Sequence, residues 1–221
     1  MIHLFKSNFD VEYVTHSGDD NLIIKAMLVD KDHEWDEYPD TKRIKALIRD
    51  GHTSPFEHCS ITLRFAVPIF VARQLMRHRT ASYNEFSGRY RVMLPIFYIP
   101  EGFHGRKPGS KKMDMIMEPL QDDELALRLS RISFHESYES YNALIASGVA
   151  EEQARIVLPV ATYTEYFATN DLHNWMKFLA LRMDSHAQKE ARIVAEQVYA
   201  ILKELYPAAI AAWDEAGRPN F

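Results

Sequence analysis

The sequence predicts an α+β protein, with a few mostly antiparallel strands followed by several packed helices. Three observations carry this. Cys59, Ile61, Leu63 and Phe65 alternate with Ser60, Thr62 and Arg64, the period of a half-buried strand. Phe134, Tyr138, Tyr141 and Ile145 recur at spacings of four, three and four, which is one helix face. Val194, Val198, Ile201 and Leu205 form a second helical stripe near the C-terminal end. Strand-like runs followed by mostly helical ones make a sheet with helices packed on it.

Taken in order, 9–18 reads as a short strand and 19–30 as a helix, with Asp19 or Asp20 as its N-cap. A second helix is predicted over 40–51, capped by Asp40 at its start and Gly51 at its end. The alternating strand covers 59–67. Pro68 then suits the first position of a helix over 68–78. The segment after it, with Ser82, Asn84, Ser87 and Gly88, reads as a loop. A strand interrupted by Pro95 follows over 90–99. Residues 101–119 hold three glycines, two prolines and several lysines, and read as a mobile surface loop. Helices are predicted over 122–148, 150–159, 171–184 and 185–207, with a strand at 160–168 between the second and third.

The chain has 221 residues, which suits one large domain or two small ones. Its net charge of -5 argues against bulk attraction to nucleic acid or an anionic membrane, so any anion site is local. One cysteine excludes an intramolecular disulfide. No run approaches the ~20 apolar residues of a membrane-spanning helix, and the N-terminal stretch lacks the apolar run of a signal peptide. The expected location is the cytoplasm.

Much familiar chemistry is missing. The eight glycines make no G-x-G-x-x-G, and there is no phosphate-binding lysine loop, C-x-x-C pair, H-E-x-x-H or serine elbow. His52 and His58 bracket Glu57 at a spacing that is not a recognised ligand pattern, so no metal is expected. Cys59 lies on the apolar face of its strand and reads as a packed core thiol.

What stands out is a basic stretch in an acidic protein. Arg73, Arg77, His78, Arg79 and Arg89 fall within residues 73–90, and Glu85 is the one carboxylate among them. Three consecutive bases cannot all face one way on a helix, but at a helix end they reach separate anionic groups. Arginine offers a rigid fork of donors to phosphate oxygens, and Ser87 with Gly88 adds a hydroxyl and a closely approachable backbone. Glu85 accepts from sugar hydroxyls or ring N–H groups. Together they suit a nucleotide. Arg155 and Arg182 lie among apolar residues; either pairs with a carboxylate such as Asp184 or points into the same anionic pocket. Tyr83, Phe86 and Tyr90 between the bases also fit a single-strand RNA binder, against which the net charge weighs.

The stretch Arg77-His78-Arg79, then seven residues, then Ser87, resembles the signature of the flavin-dependent thymidylate synthases. So do the blocks GHTSPFEH, PIFVARQLMRHR, NEFSGRY, FYIP, ARIVLP and LRMDSHAQ, in that order, over about residues 51–190. The resemblance implies a single domain over 1–221 with the thymidylate synthase-complementing protein fold. It implies FAD as cofactor, with NADPH and 5,10-methylenetetrahydrofolate as co-substrates, in making dTMP from dUMP. It also implies a homotetramer with active sites shared between subunits. Ser54, Arg77, His78, Arg79 and Glu85 match flavin positions. Gln74, Arg77, Glu85, Ser87, Gly88, Arg89, Arg155 and Arg182 match positions that hold dUMP. Arg182 matches the catalytic arginine that favours ionisation of the uracil ring. His52 and His186 fall beside the flavin and folate region. One block departs: where the family often has Asn-x-Arg, this chain has Asp171 and His173, with Lys177 at a further flavin position. Asp171 cannot donate as asparagine does. An oxidase or reductase without a nucleotide substrate is the competing enzyme class.

Overall fold

The structure is a computed structural model and describes residues 4–106 and 117–221. In chain order come β1 (Leu4–Lys6), β2 (Asp10–Ser17), α1 (Asp20–Leu28), α2 (Glu37–Arg49), a 3-10 turn (Ser54–His58), β3 (Ser60–Pro68) and α3 (Ile69–Leu75). Then follow β4 (Ser82–Glu85), β5 (Ile96–Tyr98), β6 (His104–Arg106), β7 (Met117–Pro119), α4 (Glu124–Ala146), α5 (Glu151–Ala154) and a second 3-10 turn (Arg155–Val157). The chain continues through β8 (Tyr163–Asp171), α6 (Leu172–Arg182), α7 (Lys189–Leu205) and α8 (Pro207–Glu215). The main sheet has the order β2-β3-β8-β4; β1 pairs with β5 in parallel and β6 with β7 antiparallel. The expected α+β class holds. Among the described residues no helix is long and apolar enough to cross a membrane.

The chain builds two compact units. One comprises Phe9–Phe65, Arg73–Asn84 and Tyr166–Phe221; the other comprises the chain up to Asn8, Ala66–Ala72 and Glu85–Glu165. In the first of these, the alternation read in the sequence is real: Cys59, Ile61, Leu63 and Phe65 are all buried. Phe65 stacks on Tyr166 of β8 at 4.8 Å between centroids and on Trp175 of α6 at 6.2 Å. The Trp175 indole N–H also donates to the Ile61 carbonyl at 3.2 Å, so α6 is bolted to β3 by both packing and a hydrogen bond. On α7 the buried stripe is Ala191, Val194, Ala195, Val198 and Leu202. Ile201 and Leu205, expected inside, are half-buried, because the alanines rotate the face toward Leu202.

Carboxylates set several helix starts. Asp19 caps α1, accepting from the Leu22 N–H at 2.8 Å. Asp20 is buried and instead accepts from the N–H groups of Ala208 and Ala209 at 2.8 and 3.0 Å. It thereby caps α8, a helix that the sequence reading ended before, with Pro207 at the first position. Burial pushes the Asp20 carboxyl up, against those two donors. Asp40 does not precede α2 as expected. The helix starts three residues earlier, and Asp40 reaches back from its first turn to the Asp36 N–H at 2.8 Å. It also pairs with His33 at 2.7 Å and Arg43 at 2.5 Å. Burial alone would raise its carboxyl, but these donors outweigh burial and hold it below the usual range. Gly51 follows α2 at φ +68°, the left-handed geometry expected of it.

Other boundaries differ from the sequence reading. Pro68 ends β3 rather than opening a helix, and α3 stops at Leu75 instead of running to residue 78. The loop expected around Ser82 contains β4, an edge strand beside β8, whose polar residues on both faces give no period. Of the strand expected over 90–99 only Ile96–Tyr98 pairs, with β1. The strand expected at 160–168 is β8, shifted three residues on. Helices α6 and α7 are each shorter than expected, separated by a turn through Ser185–Gln188. Residues 107–116 of the loop expected near 101–119 lie outside the described residues, and its flanks pair as β6 and β7.

In the other unit α4 presents the face read from its sequence. Phe134 and Tyr138 pack on Phe97 at 5.4 and 6.1 Å between centroids. The Tyr138 hydroxyl donates to the Met93 carbonyl, and the Met93 N–H donates to the Tyr141 hydroxyl, both at 3.0 Å. These two bonds fix Met93, which bears on the site described below.

The capping role of Asp20 is testable. Replacement by alanine is expected to lower the stability measured by urea unfolding by about 1–3 kcal/mol. An unchanged midpoint would remove the cap from the account of α8.

Candidate active site

The basic stretch begins where α3 ends. In the unit that contains residues 73–84, Gln74, His78 and Arg182 meet. Arg182, in the last turn of α6, donates from Nε to His78 Nε2 at 3.0 Å and from Nη2 to the Gln74 carbonyl at 2.8 Å. Its Nη1 has no acceptor, and the side chain has no carboxylate partner among the described residues. Asp184, the partner considered from the sequence, binds His186 instead, at 2.8 Å to its N–H and 2.9 Å to Nδ1. Burial, then the charge of Arg77, make the Arg182 guanidinium easier to deprotonate than usual.

Because Arg182 donates to it, His78 Nε2 must carry a lone pair. The ring is neutral, with its proton on Nδ1. Burial first, then the Arg182 charge, push His78 down to about 4. Its edge packs on Phe178 at 4.9 Å between centroids. The backbone turn is held by Tyr83, whose hydroxyl donates to the His78 carbonyl at 2.9 Å and the Leu75 carbonyl at 3.2 Å. With His78 turned inward, Arg77 and Arg79 are exposed on either side. Gln74 donates its amide to Gln188.

The other unit holds Glu85, Ser87, Gly88, Arg89 and Arg155. Glu85 is exposed and accepts from the buried Thr164 hydroxyl at 2.6 Å. Ser87 Oγ accepts from the Arg89 N–H at 3.3 Å, and the Ser87 carbonyl accepts from the Tyr90 N–H at 3.3 Å, which shapes a tight turn. Gly88 is buried: a Cβ there would come 2.7 Å from Met93 Sδ and 3.4 Å from Arg155 Cδ. A side chain here would require the Met93 thioether to move, while α4 holds the Met93 backbone. Arg89 pairs with Glu152 at 3.1 Å, and Arg155 Nε donates to the Glu152 carbonyl at 3.2 Å. Glu152 thus gathers two arginines whose remaining donors face solvent. Arg155 is exposed and does not pair with Asp184.

The departing block lies on α6. Asp171 is the N-cap, accepting from the Asn174 N–H at 2.8 Å and from Asn174 Nδ2 at 2.7 Å. His173 is 8% exposed, and its Nδ1 is buried without a partner. Burial, then Lys177, lower its basicity, against Asp171 and Glu57. Lys177 is half-buried one turn further on. Ser54 is exposed at the first position of the Ser54–His58 turn, which packs against α6. Cys59 is fully buried with its thiol toward the Asp19 carbonyl, and burial followed by Asp19 and Asp20 pushes it up to about 12. It is no nucleophile at neutral pH.

Two contributors escaped the sequence reading, Thr164 and Met93, and Tyr83 was read only as a stacking ring. Thr164 had a legible signal, as a polar residue on the inward face of an alternating strand. Tyr83 and Met93 act through backbone groups and leave no pattern.

The fold and these residues define an α+β protein in which one part-buried guanidinium is held by neutral groups and several others stand exposed. Comparison with known proteins gives the class a family. A model described as thymidylate synthase complementing protein matches residues 12–208. The flavin-dependent thymidylate synthase of Thermus thermophilus is 43% identical over 210 residues, 93% of this chain and 75% of that protein. That of Streptomyces avermitilis is 39% identical over 97% of this chain and 94% of its own. A crystal structure of the UMP/dUMP methylase PolB from Streptomyces cacaoi, bound with 5-Br dUMP, superposes with a TM-score of 0.90 at 35% identity, covering 99% of this chain and 100% of that one. The chain belongs to the thymidylate synthase complementing protein family, that of the flavin-dependent thymidylate synthases.

The state of His78 can be read directly. In long-range ¹H–¹⁵N spectra the ring is expected to hold its proton on Nδ1 and to stay neutral from pH 7 down to about 4. The unfolded chain takes up this proton near pH 6.5. The stability it contributes is therefore full above that value and lost as the pH falls toward 4. Titration near 6.5 in the folded protein would contradict the Arg182 contact.

Proposed function

We propose that the protein methylates carbon 5 of dUMP to give dTMP, with FAD as cofactor, 5,10-methylenetetrahydrofolate as one-carbon donor and NADPH as reductant. The observation that carries this is Arg182: a part-buried guanidinium with no carboxylate partner and one nitrogen, Nη1, unused. A charge left unneutralised in a partly desolvated place acts strongly on any negative charge that develops beside it. Uracil carbon 5 becomes nucleophilic as the ring takes on negative charge. Arg182 stabilises that form, a task that a cysteine adduct performs in thiol-dependent synthases. The buried thiol of Cys59 supports a route without such an adduct.

The residues present fit a flavin dinucleotide. Arg77 and Arg79 offer exposed forks for its pyrophosphate, Ser54 an exposed hydroxyl, and His173 a buried ring nitrogen that lacks a partner. His78 keeps the two arginines apart, Glu85 accepts a donor, and Lys177 supplies a further cation. Asp171 serves as the α6 cap and shapes the helix that carries His173 and Lys177. FAD, when bound, supplies the hydride that completes the methyl group. Ser87, Gly88, Arg89 and Arg155 take the nucleotide phosphate, with Gln74, Arg77 and Glu85 as further substrate contacts. This fixes the base and so contributes by orientation. In this reading the protein is a cytoplasmic homotetramer, one domain per chain, with each site assembled from more than one subunit.

The test is release of tritium from [5-³H]dUMP by the purified yellow protein, dependent on the folate and NADPH. Bleaching of flavin by NADPH with no nucleotide turnover would favour a plain oxidase. Relatives were solved with 5-Br UMP as well as 5-Br dUMP, which makes UMP a second candidate. Methylation of UMP alone would replace the deoxy substrate. Arg182→Ala is expected to fold and keep flavin while losing about 10²–10³-fold in kcat. Wild-type turnover in that variant would refute the assigned role. Cys59→Ala is expected to retain activity, and its loss in a well-folded variant would revive covalent catalysis.

A further inference from the structure

We infer that Thr164 is a positioning residue for the substrate, holding one oxygen of the Glu85 carboxylate so that the other, Oε2, accepts from the nucleotide. This rests on the reading of Glu85 as a substrate contact. Thr164 lies on β8 with its side chain 3% exposed, and its hydroxyl donates to Glu85 Oε1 at 2.6 Å. A buried hydroxyl has no water competing for its single proton, and a β-branched side chain has little rotamer freedom. The donor is therefore fixed before any ligand arrives. The backbone is pinned beside it, since the Phe86 N–H donates to the Glu165 carbonyl at 2.8 Å.

Glu85 needs such a partner. It is exposed at the end of an edge strand and has three rotatable bonds to order on binding. Although it stands among basic residues in the sequence, it makes no ion pair with any described residue. Among the described residues the one hydrogen bond to its carboxylate is that from Thr164, so Oε2 is left for a donor such as a sugar hydroxyl or ring N–H. Ordering the carboxylate in advance removes that cost from ligand binding.

The experiment measures dUMP affinity by calorimetry and the KM for dUMP in the wild type, Thr164→Val and Thr164→Ser, each also in a Glu85→Ala background. Valine keeps the shape and suits a strand; Thr164→Ala serves if the valine variant does not fold. Thr164→Val is expected to weaken dUMP binding about tenfold. Thr164→Ser restores most of the loss, and in Glu85→Ala the valine substitution has no further effect. Equal losses in both backgrounds would mean that Thr164 acts through packing and overturn the inference. So would wild-type affinity in Thr164→Val. If the wild type itself binds no dUMP, the substrate reading falls and this inference with it.

Discussion

A single guanidinium shared between a ring nitrogen and a carbonyl organises the basic stretch. Arg182 needs acceptors, and it finds neutral ones in His78 and Gln74. A carboxylate there would have quenched its charge. A protonated histidine would have repelled it. The arrangement depends in turn on where α6 ends, and that is set by Trp175, which locks the helix to the alternating residues of β3. The path runs from a period of two in the sequence, through one indole, to the position of one arginine. Everything exposed around it, Arg77 and Arg79 above all, faces outward because His78 faces in.

The other unit solves a similar problem with different parts. Two tyrosines on α4 hold both backbone groups of Met93, and Met93 lies against the backbone of Gly88. The turn that carries Ser87 and Arg89 is thus shaped from beneath by a helix far along the chain. A side chain at position 88 would have to displace the Met93 sulfur.

How much of this was legible follows from where the information lies. The β3 alternation and the α4 face were read correctly because their signals repeat within a few residues. Asp19 and Gly51 were legible because capping is local chemistry. The strands β1, β4 and β5 were missed or misplaced because three or four residues carry no period, and their partners are far away. Asp40 misled for a related reason: an aspartate near a helix start caps from several positions, and only geometry says which. In the candidate site, that three consecutive bases reach different ways was legible from helix geometry alone. The sequence held no sign that His78 would be the inward one, since its partner is 104 residues distant. Arg155 could be read either way from its neighbours, and it lies exposed at the start of a short 3-10 turn.

The bond from Asp20 to the start of α8 spans 188 residues. Its consequence is one of timing. While the chain is being made, α1 can coil as soon as Asp19 and Leu22 exist, but the carboxylate beside its cap has no donors until residues 207–215 follow. A chain that has not reached residue 208 therefore carries an unmatched acidic group where its interior should close. Contacts of such separation form late and slowly. Closure of α1 against α8 therefore waits for residues 207–215 and completes this contact in one step rather than gradually.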